Sequence, residues 1–220
     1  MAANVQDVIM LVGDSLTQGG WAQGGFAQLL AERYVRKLDV LNRGFGGYQT
    51  DWAIPVCEQI FAKQHEQHHV PNVKLLTIWY GANDAAPAPS PQHVPRDRYK
   101  ENLTQWDMPT SPRVFETTKA YAEAVKEVGE KENVPVADIW TTIFDGAGRT
   151  EDGCAKYLSD GLHLNSDGYN IVFRAIVDIV ERVYPELNPE GVKLQDVFMP
   201  WDQVNVQNPG PSLVKRNAQL

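Results

Sequence analysis

Short apolar runs alternate along this chain with segments whose apolar residues recur every three or four positions. Val8 to Val12 is an unbroken apolar run, short enough for one strand buried on both faces. Phe26, Leu29, Leu30 and Tyr34 then follow helical spacing. Leu38 to Leu41 is a second strand-like run, closed by Asn42-Arg43-Gly44. Ala53, Val56, Cys57, Ile60 and Phe61 mark a second helix. Val73 to Trp79 is a third strand, closed by Gly81-Ala82-Asn83-Asp84. Pro87, Pro89, Pro91 and Pro95 stiffen the loop beyond it. Val134 to Ile139 reads as the last strand. Val172, Ile176, Ile179, Val180 and Val183 stripe a terminal helix, with Ser166 as its N-cap. Strands separated by helices predict an α/β domain whose parallel sheet is covered on both faces.

One interval breaks the alternation. Asp97 to Gln105 has a helical pattern, with Tyr99 and Leu103 four apart. Arg113 to Lys131 is a helix with Phe115, Ala122, Val125 and Val128 inward. Only TQWDMPTSP lies between them, where a strand is due. From Pro185 onward the periodicity fades into a stretch with five prolines. The expected organisation is one domain over residues 1–185 and a tail over 186–220 that crosses its surface.

Composition narrows the function classes. The chain has 220 residues, 43% hydrophobic and 22% charged, as in an ordinary globular domain. A formal net charge of −8 argues against non-specific binding to nucleic acid or anionic membranes. No run approaches the roughly 18 apolar residues of a membrane span. The N-terminus lacks the basic region of a signal peptide. Cys57 and Cys154 lack CxxC spacing, which fits reduced thiols in a cytoplasmic protein. Asn102-Leu103-Thr104 matches a glycosylation sequon that is silent without secretion.

The strand ends carry the chemistry. GDS follows the first run, GFGGY the second and GAND the third, and ligands in open parallel sheets sit beyond these ends. Asp160-Gly161-Leu162-His163 lies just before the terminal helix. Together these segments supply the parts of an acyl-transfer site. Serine becomes a nucleophile when a base removes its proton, and neutral histidine suits that task. Asp160, three residues from His163, can orient the imidazole. The Ser15 N–H, a glycine N–H of GFGGY and the Asn83 amide can each donate to an oxyanion, about 3 kcal/mol of barrier lowering per donor. A helix starting after Ser15 turns its positive end toward the same place.

GDSLTQGG, VLNRGFGGYQTDWA, GAND and DGLHLNSDGYNIVF, in that order, resemble the SGNH (GDSL) hydrolase superfamily, and within it the isoamyl acetate-hydrolysing esterases. The resemblance covers most of Val8 to Tyr184. It implies a three-layer α/β/α, flavodoxin-like fold with a mostly parallel sheet. It implies Ser15 as nucleophile, Asp160 and His163 completing a triad, and Ser15, Gly47 and Asn83 forming the oxyanion hole. Gly47 follows a small residue, as the family's second-block glycine does, and so matches better than Gly44. Asp14 and Asp84 are then structural. The implied substrates are short acyl esters of small alcohols, hydrolysed without metal or cofactor. The family carries a further interior strand between the helices at Asp97 and Arg113. A strand with its crossover needs about 30 residues, so that strand is expected to be absent here.

Other readings compete. His65-Glu66-Gln67-His68-His69 satisfies H-E-x-x-H, the zinc-protease signature, but sits at a polar helix end before Pro71; a solvated helix end is the expectation, with no metal site. Trp21, Phe45, Trp79 and Tyr80 flank the chemical segments and either line a substrate pocket or pack in the core. A thioesterase or lysophospholipase of the same superfamily, or an inactive isoform, are the alternatives in function. The expected partner is a small-molecule ester, with no nucleic acid, no membrane span, and a homodimer left open.

Overall fold

A computed structural model of the chain describes residues 5–63, 66, 70–106 and 115–216. Its centre is a three-stranded parallel sheet in the order β2-β1-β3, formed by β1 (Val8–Gly13), β2 (Asp39–Gly44) and β3 (Val73–Trp79). Gly13 pairs with Gly44 on one side and with Trp79 on the other, so the three strands end level. β1 is buried along its whole length. Ile9, Leu11 and Val12 are each fully buried, about 1.5–3 kcal/mol of hydrophobic stabilisation apiece.

Alternation along β1 splits the core into two layers. Ile9 and Leu11 pack with α2 (Phe26–Arg33) and α7 (Ser166–Val183), through Phe26, Leu30, Tyr169, Val172, Ile176 and Val180. Met10 and Val12 face α3 (Thr50–Ile60), meeting Ala53 and Cys57. The other described α-helices are α1 (Ser15–Gln18), α4 (Arg96–Trp106), α5 (Phe115–Glu132) and α6 (Ile139–Gly146). α4 and α5 form a satellite core with the loop after β3, centred on Val94, Tyr99, Leu103 and Tyr121. The Tyr121 hydroxyl donates to the Val94 carbonyl at 2.8 Å and the Tyr99 hydroxyl to the Tyr121 carbonyl at 3.2 Å.

The expected strand over Val134–Ile139 does not form. Residues 134–138 run as irregular chain, and Ile139 already begins α6. The backbone finds local partners instead. Asn133 takes a left-handed conformation (φ 56°) that closes α5, and the Val134 N–H donates to the Gly129 carbonyl at 2.8 Å. Val136 docks on Gly129, where a Cβ would meet its Cγ2 at 2.2 Å. Asp138 caps α6 by accepting from the Thr141 N–H. A parallel strand needs a neighbour to satisfy its backbone groups. Among the described residues no strand between β3 and this stretch supplies one.

β3 is the counterpart of that absence. Among the described residues it pairs only with β1, and Val73, Leu76 and Ile78 are 38–40% exposed. TQWDMPTSP lies mostly outside the described residues. Two smaller expectations also change. The cap of α7 is Asn165, whose side chain accepts from the Asp167 and Gly168 N–H groups, rather than Ser166. Val183, expected inward, is 45% exposed.

Beyond Pro185 the chain wraps the end of α2. Leu187 and Leu194 enter the main core, the Lys37 ammonium donates to the Leu194 carbonyl, and the Val197 N–H donates to the Arg36 carbonyl. Asn102 of the sequon is buried, its amide donating to Thr50 Oγ1 and Asp51 Oδ1 at 2.8 Å each. No helix among the described residues is long and apolar enough to cross a membrane.

Candidate active site

β1 delivers Ser15 to the rim of the sheet. Gly13 ends the strand where a Cβ would lie 2.0 Å from Thr17 Oγ1 and 2.3 Å from the Trp79 carbonyl oxygen, so only glycine fits. Asp14 then caps α1, accepting from the Leu16 N–H at 2.8 Å. Its second oxygen accepts from the Ala82 N–H at 3.3 Å and ties the serine turn to the loop after β3. Burial pushes the Asp14 carboxyl up to about 6, against the pull of these amide donors. The Tyr169 hydroxyl of α7 donates to the Leu16 carbonyl at 3.0 Å and holds α1 from the other side.

The loop before α7 presents the histidine. Leu158 and Leu164 form an antiparallel bridge, and Gly161 turns between them at φ 86°. Asp160 Oδ1 accepts from the N–H groups of Leu162 (3.0 Å) and His163 (2.8 Å), which closes the turn. Asp160 Oδ2 lies 2.7 Å from His163 Nδ1, and His163 Nε2 lies 3.0 Å from Ser15 Oγ. A carboxylate with its charge can only accept, so Nδ1 carries the proton and Nε2 is left to accept from the serine hydroxyl. The His163 ring bond, then the two amides, hold the Asp160 carboxyl far below the usual carboxylate range. Three side chains read as a group from the sequence are one hydrogen-bonded relay.

The glycine-rich turn after β2 shows a division of labour. Gly44 lets α1 come close, since a Cβ there would sit 2.1 Å from the Gln18 nitrogen. Gly47 is needed for its backbone, at φ 81°. Asn83 is buried, and its Nδ2 donates to the Tyr48 carbonyl at 2.9 Å, which leaves one N–H of that amide. Asp84 accepts from the Thr50 N–H and, at 2.6 Å, from the Thr50 hydroxyl, so it pins the loop after β3 to the start of α3. Burial pushes its carboxyl up to about 9.

Three further side chains brace the site, Asn42 from within VLNRGFGGYQTDWA and Gln18 and Gln92 in contacts their spacing does not reveal. Gln18 Oε1 accepts from the Gly46 N–H at 2.8 Å. Asn42 donates to the Thr17 carbonyl and accepts from the Gly44 N–H. Gln92 Nε2 donates to the Gly47 carbonyl at 2.7 Å and to Asn83 Oδ1 at 3.2 Å. Of the flanking aromatics, Trp79 packs edge-on against Phe26 in the core, and Tyr80 is buried beside Met10 and Cys57. Trp21 is exposed, and Phe45 packs against Tyr48 in a tilted pair with ring centroids 5.3 Å apart. Of the H-E-x-x-H segment only Glu66 is among the described residues, which hold no cluster of metal-ligating side chains.

The profile of the GDSL-like lipase/acylhydrolase family matches residues 11–171, from within β1 into α7. The chain belongs to that family. As a GDSL-like acylhydrolase it is a carboxylic ester hydrolase of the SGNH superfamily. A Rattus norvegicus relative, the isoamyl acetate-hydrolyzing esterase 1 homolog, is 32% identical, over 94% of this chain and 91% of the relative. The isoamyl acetate-hydrolyzing esterase of Saccharomyces cerevisiae is 28% identical over 85% and 92%. The rat alignment runs over 241 residues, more than the 220 of the whole chain, so part of the relative has no counterpart here. Among solved structures, the acetyl xylan esterase AlAXEase matches with a TM-score of 0.59 at 15% identity, covering 80% of this chain and all of that one. That likeness establishes the shared SGNH fold and no more.

Proposed function

We propose that this GDSL-like acylhydrolase cleaves short-chain acyl esters of small alcohols through an acyl-enzyme on Ser15. The observation that carries this is the relay in which His163 Nε2 lies 3.0 Å from Ser15 Oγ while Nδ1 lies 2.7 Å from Asp160 Oδ2. His163 takes the serine proton as Oγ attacks the ester carbonyl. It returns that proton to the leaving alcohol, then activates the water that releases the acid. Asp160 fixes the tautomer and balances the imidazolium that forms. The Ser15 and Gly47 N–H groups and the remaining Asn83 N–H are the oxyanion donors of this reading. Family membership supports acyl transfer, and relatives named as isoamyl acetate-hydrolyzing esterases support the small alcohol.

Rapid mixing with p-nitrophenyl acetate tests it. A burst of nitrophenol equal to the enzyme concentration, absent in Ser15→Ala, is expected. Unchanged ester turnover by Ser15→Ala overturns the proposal.

A further inference from the structure

Two turns from different strands, GFGGY after β2 and GAND after β3, must hold their donors in register for one oxyanion. A single side chain joins them. The Gln92 amide nitrogen has two protons, and each has an acceptor: the Gly47 carbonyl at 2.7 Å and Asn83 Oδ1 at 3.2 Å. The orientation of both amides is fixed by groups that can only accept. The Tyr48 carbonyl demands the Asn83 nitrogen, so Asn83 turns its oxygen to Gln92. The Gly47 carbonyl demands the Gln92 nitrogen for the same reason.

The loop that carries Gln92 is itself moored. The Val94 N–H donates to the Asp84 carbonyl at 3.0 Å, Val94 is 1% exposed, and its carbonyl accepts from the Tyr121 hydroxyl. The Gln92 N–H donates to Ser90 Oγ at 3.2 Å. The Gly47 turn is held equally closely, its Gly46 N–H on Gln18 and its Tyr48 N–H on the Phe45 carbonyl.

We propose that Gln92 is the positioning residue of the oxyanion hole, a primary amide that locks the Gly47 peptide and the Asn83 side chain into one donor set. The inference rests on the oxyanion roles given to Gly47 and Asn83 above. Gln92 acts through those two residues, so its effect belongs to the transition state. Without it Asn83 keeps its bond to the Tyr48 carbonyl but loses the donor that holds its oxygen, and the Gly47 turn loses its outer anchor.

Steady-state hydrolysis of p-nitrophenyl acetate by Gln92→Ala, Gln92→Glu, Asn83→Ala and the Gln92→Ala/Asn83→Ala double variant tests this, beside thermal unfolding of each. Gln92→Ala is expected to lower kcat about tenfold to a hundredfold with KM within about twofold. Gln92→Glu sets carboxylate oxygens against two acceptors and is expected to lose more than Gln92→Ala, at similar unfolding temperature. In the Asn83→Ala background the Gln92→Ala loss is expected to shrink to less than about threefold, since neighbours acting as one unit are not additive. A parental kcat for Gln92→Ala, or the same loss in both backgrounds, overturns the inference while leaving Asn83 in place. A parental kcat for Asn83→Ala removes the oxyanion reading itself, and the inference with it.

Discussion

Asp160 and His163 are joined twice: Oδ1 of the aspartate accepts from the His163 N–H at 2.8 Å, and Oδ2 lies 2.7 Å from the ring Nδ1 of the same residue. One carboxylate therefore shapes the turn and orients the imidazole on it. Asp160→Asn separates these duties. The amide oxygen still closes the turn, while its nitrogen opposes Nδ1–H and favours the wrong tautomer. We expect kcat for ester hydrolysis to fall on the order of 10³-fold with little change in unfolding temperature. Kinetics and thermal unfolding of the purified variant check this.

The buried carboxylates of Asp14 and Asp84 make stability depend on pH. Their folded-state values, about 6 and about 9, lie above the ordinary 3.8 because burial disfavours the charge. Between 3.8 and those values the folded chain holds protons that the unfolded chain has released. Stability therefore falls as pH rises, by about 1.4 kcal/mol per pH unit for each such group. The lowered carboxyls of Glu127, Asp138 and Asp160 act in the opposite sense, at pH below about 5. Urea titrations are expected to give a more stable protein at pH 5 than at pH 8.5. Asp84→Asn is expected to flatten the slope above pH 6.

The central and edge strands are expected to respond differently to truncation. Leu11 of β1 is fully buried, whereas Leu76 of β3 is 39% exposed. Leu11→Ala is expected to cost about 2–5 kcal/mol, through lost transfer energy and the cavity left behind. Leu76→Ala is expected to cost less than Leu11→Ala, because much of the Leu76 side chain already meets solvent. Denaturant unfolding of both variants measures the difference. Equal costs would show that β3 is covered.

Much of the site was legible in the sequence because each of its segments carries its own constraint. The apolar run into Gly13-Asp14-Ser15 needs a strand that stops, and Asp160-Gly161-Leu162-His163 needs a turn that brings a carboxylate back to a ring. The bracing residues were not legible. Gln18 ends the short helix α1 and Gln92 lies in a loop, and no spacing reveals which distant amide either meets. The last strand was misread because Val134 to Ile139 has the right composition, yet pairing is settled by a neighbour elsewhere in the chain. Without that neighbour, Asn133 and Asp138 impose a helix end and a helix start on the same stretch. The choice of Asn165 over Ser166 as a cap was undecidable from pattern, since both side chains suit the position.

The relay from Ser15 to His163 is tested most directly by its reaction with an organophosphate, followed by peptide mass spectrometry. The account predicts one phosphoryl adduct per chain, on Ser15, with its formation slowed on the order of 10³-fold in His163→Ala. An enzyme that hydrolyses esters yet carries no adduct on Ser15, or one labelled equally fast without His163, would contradict it.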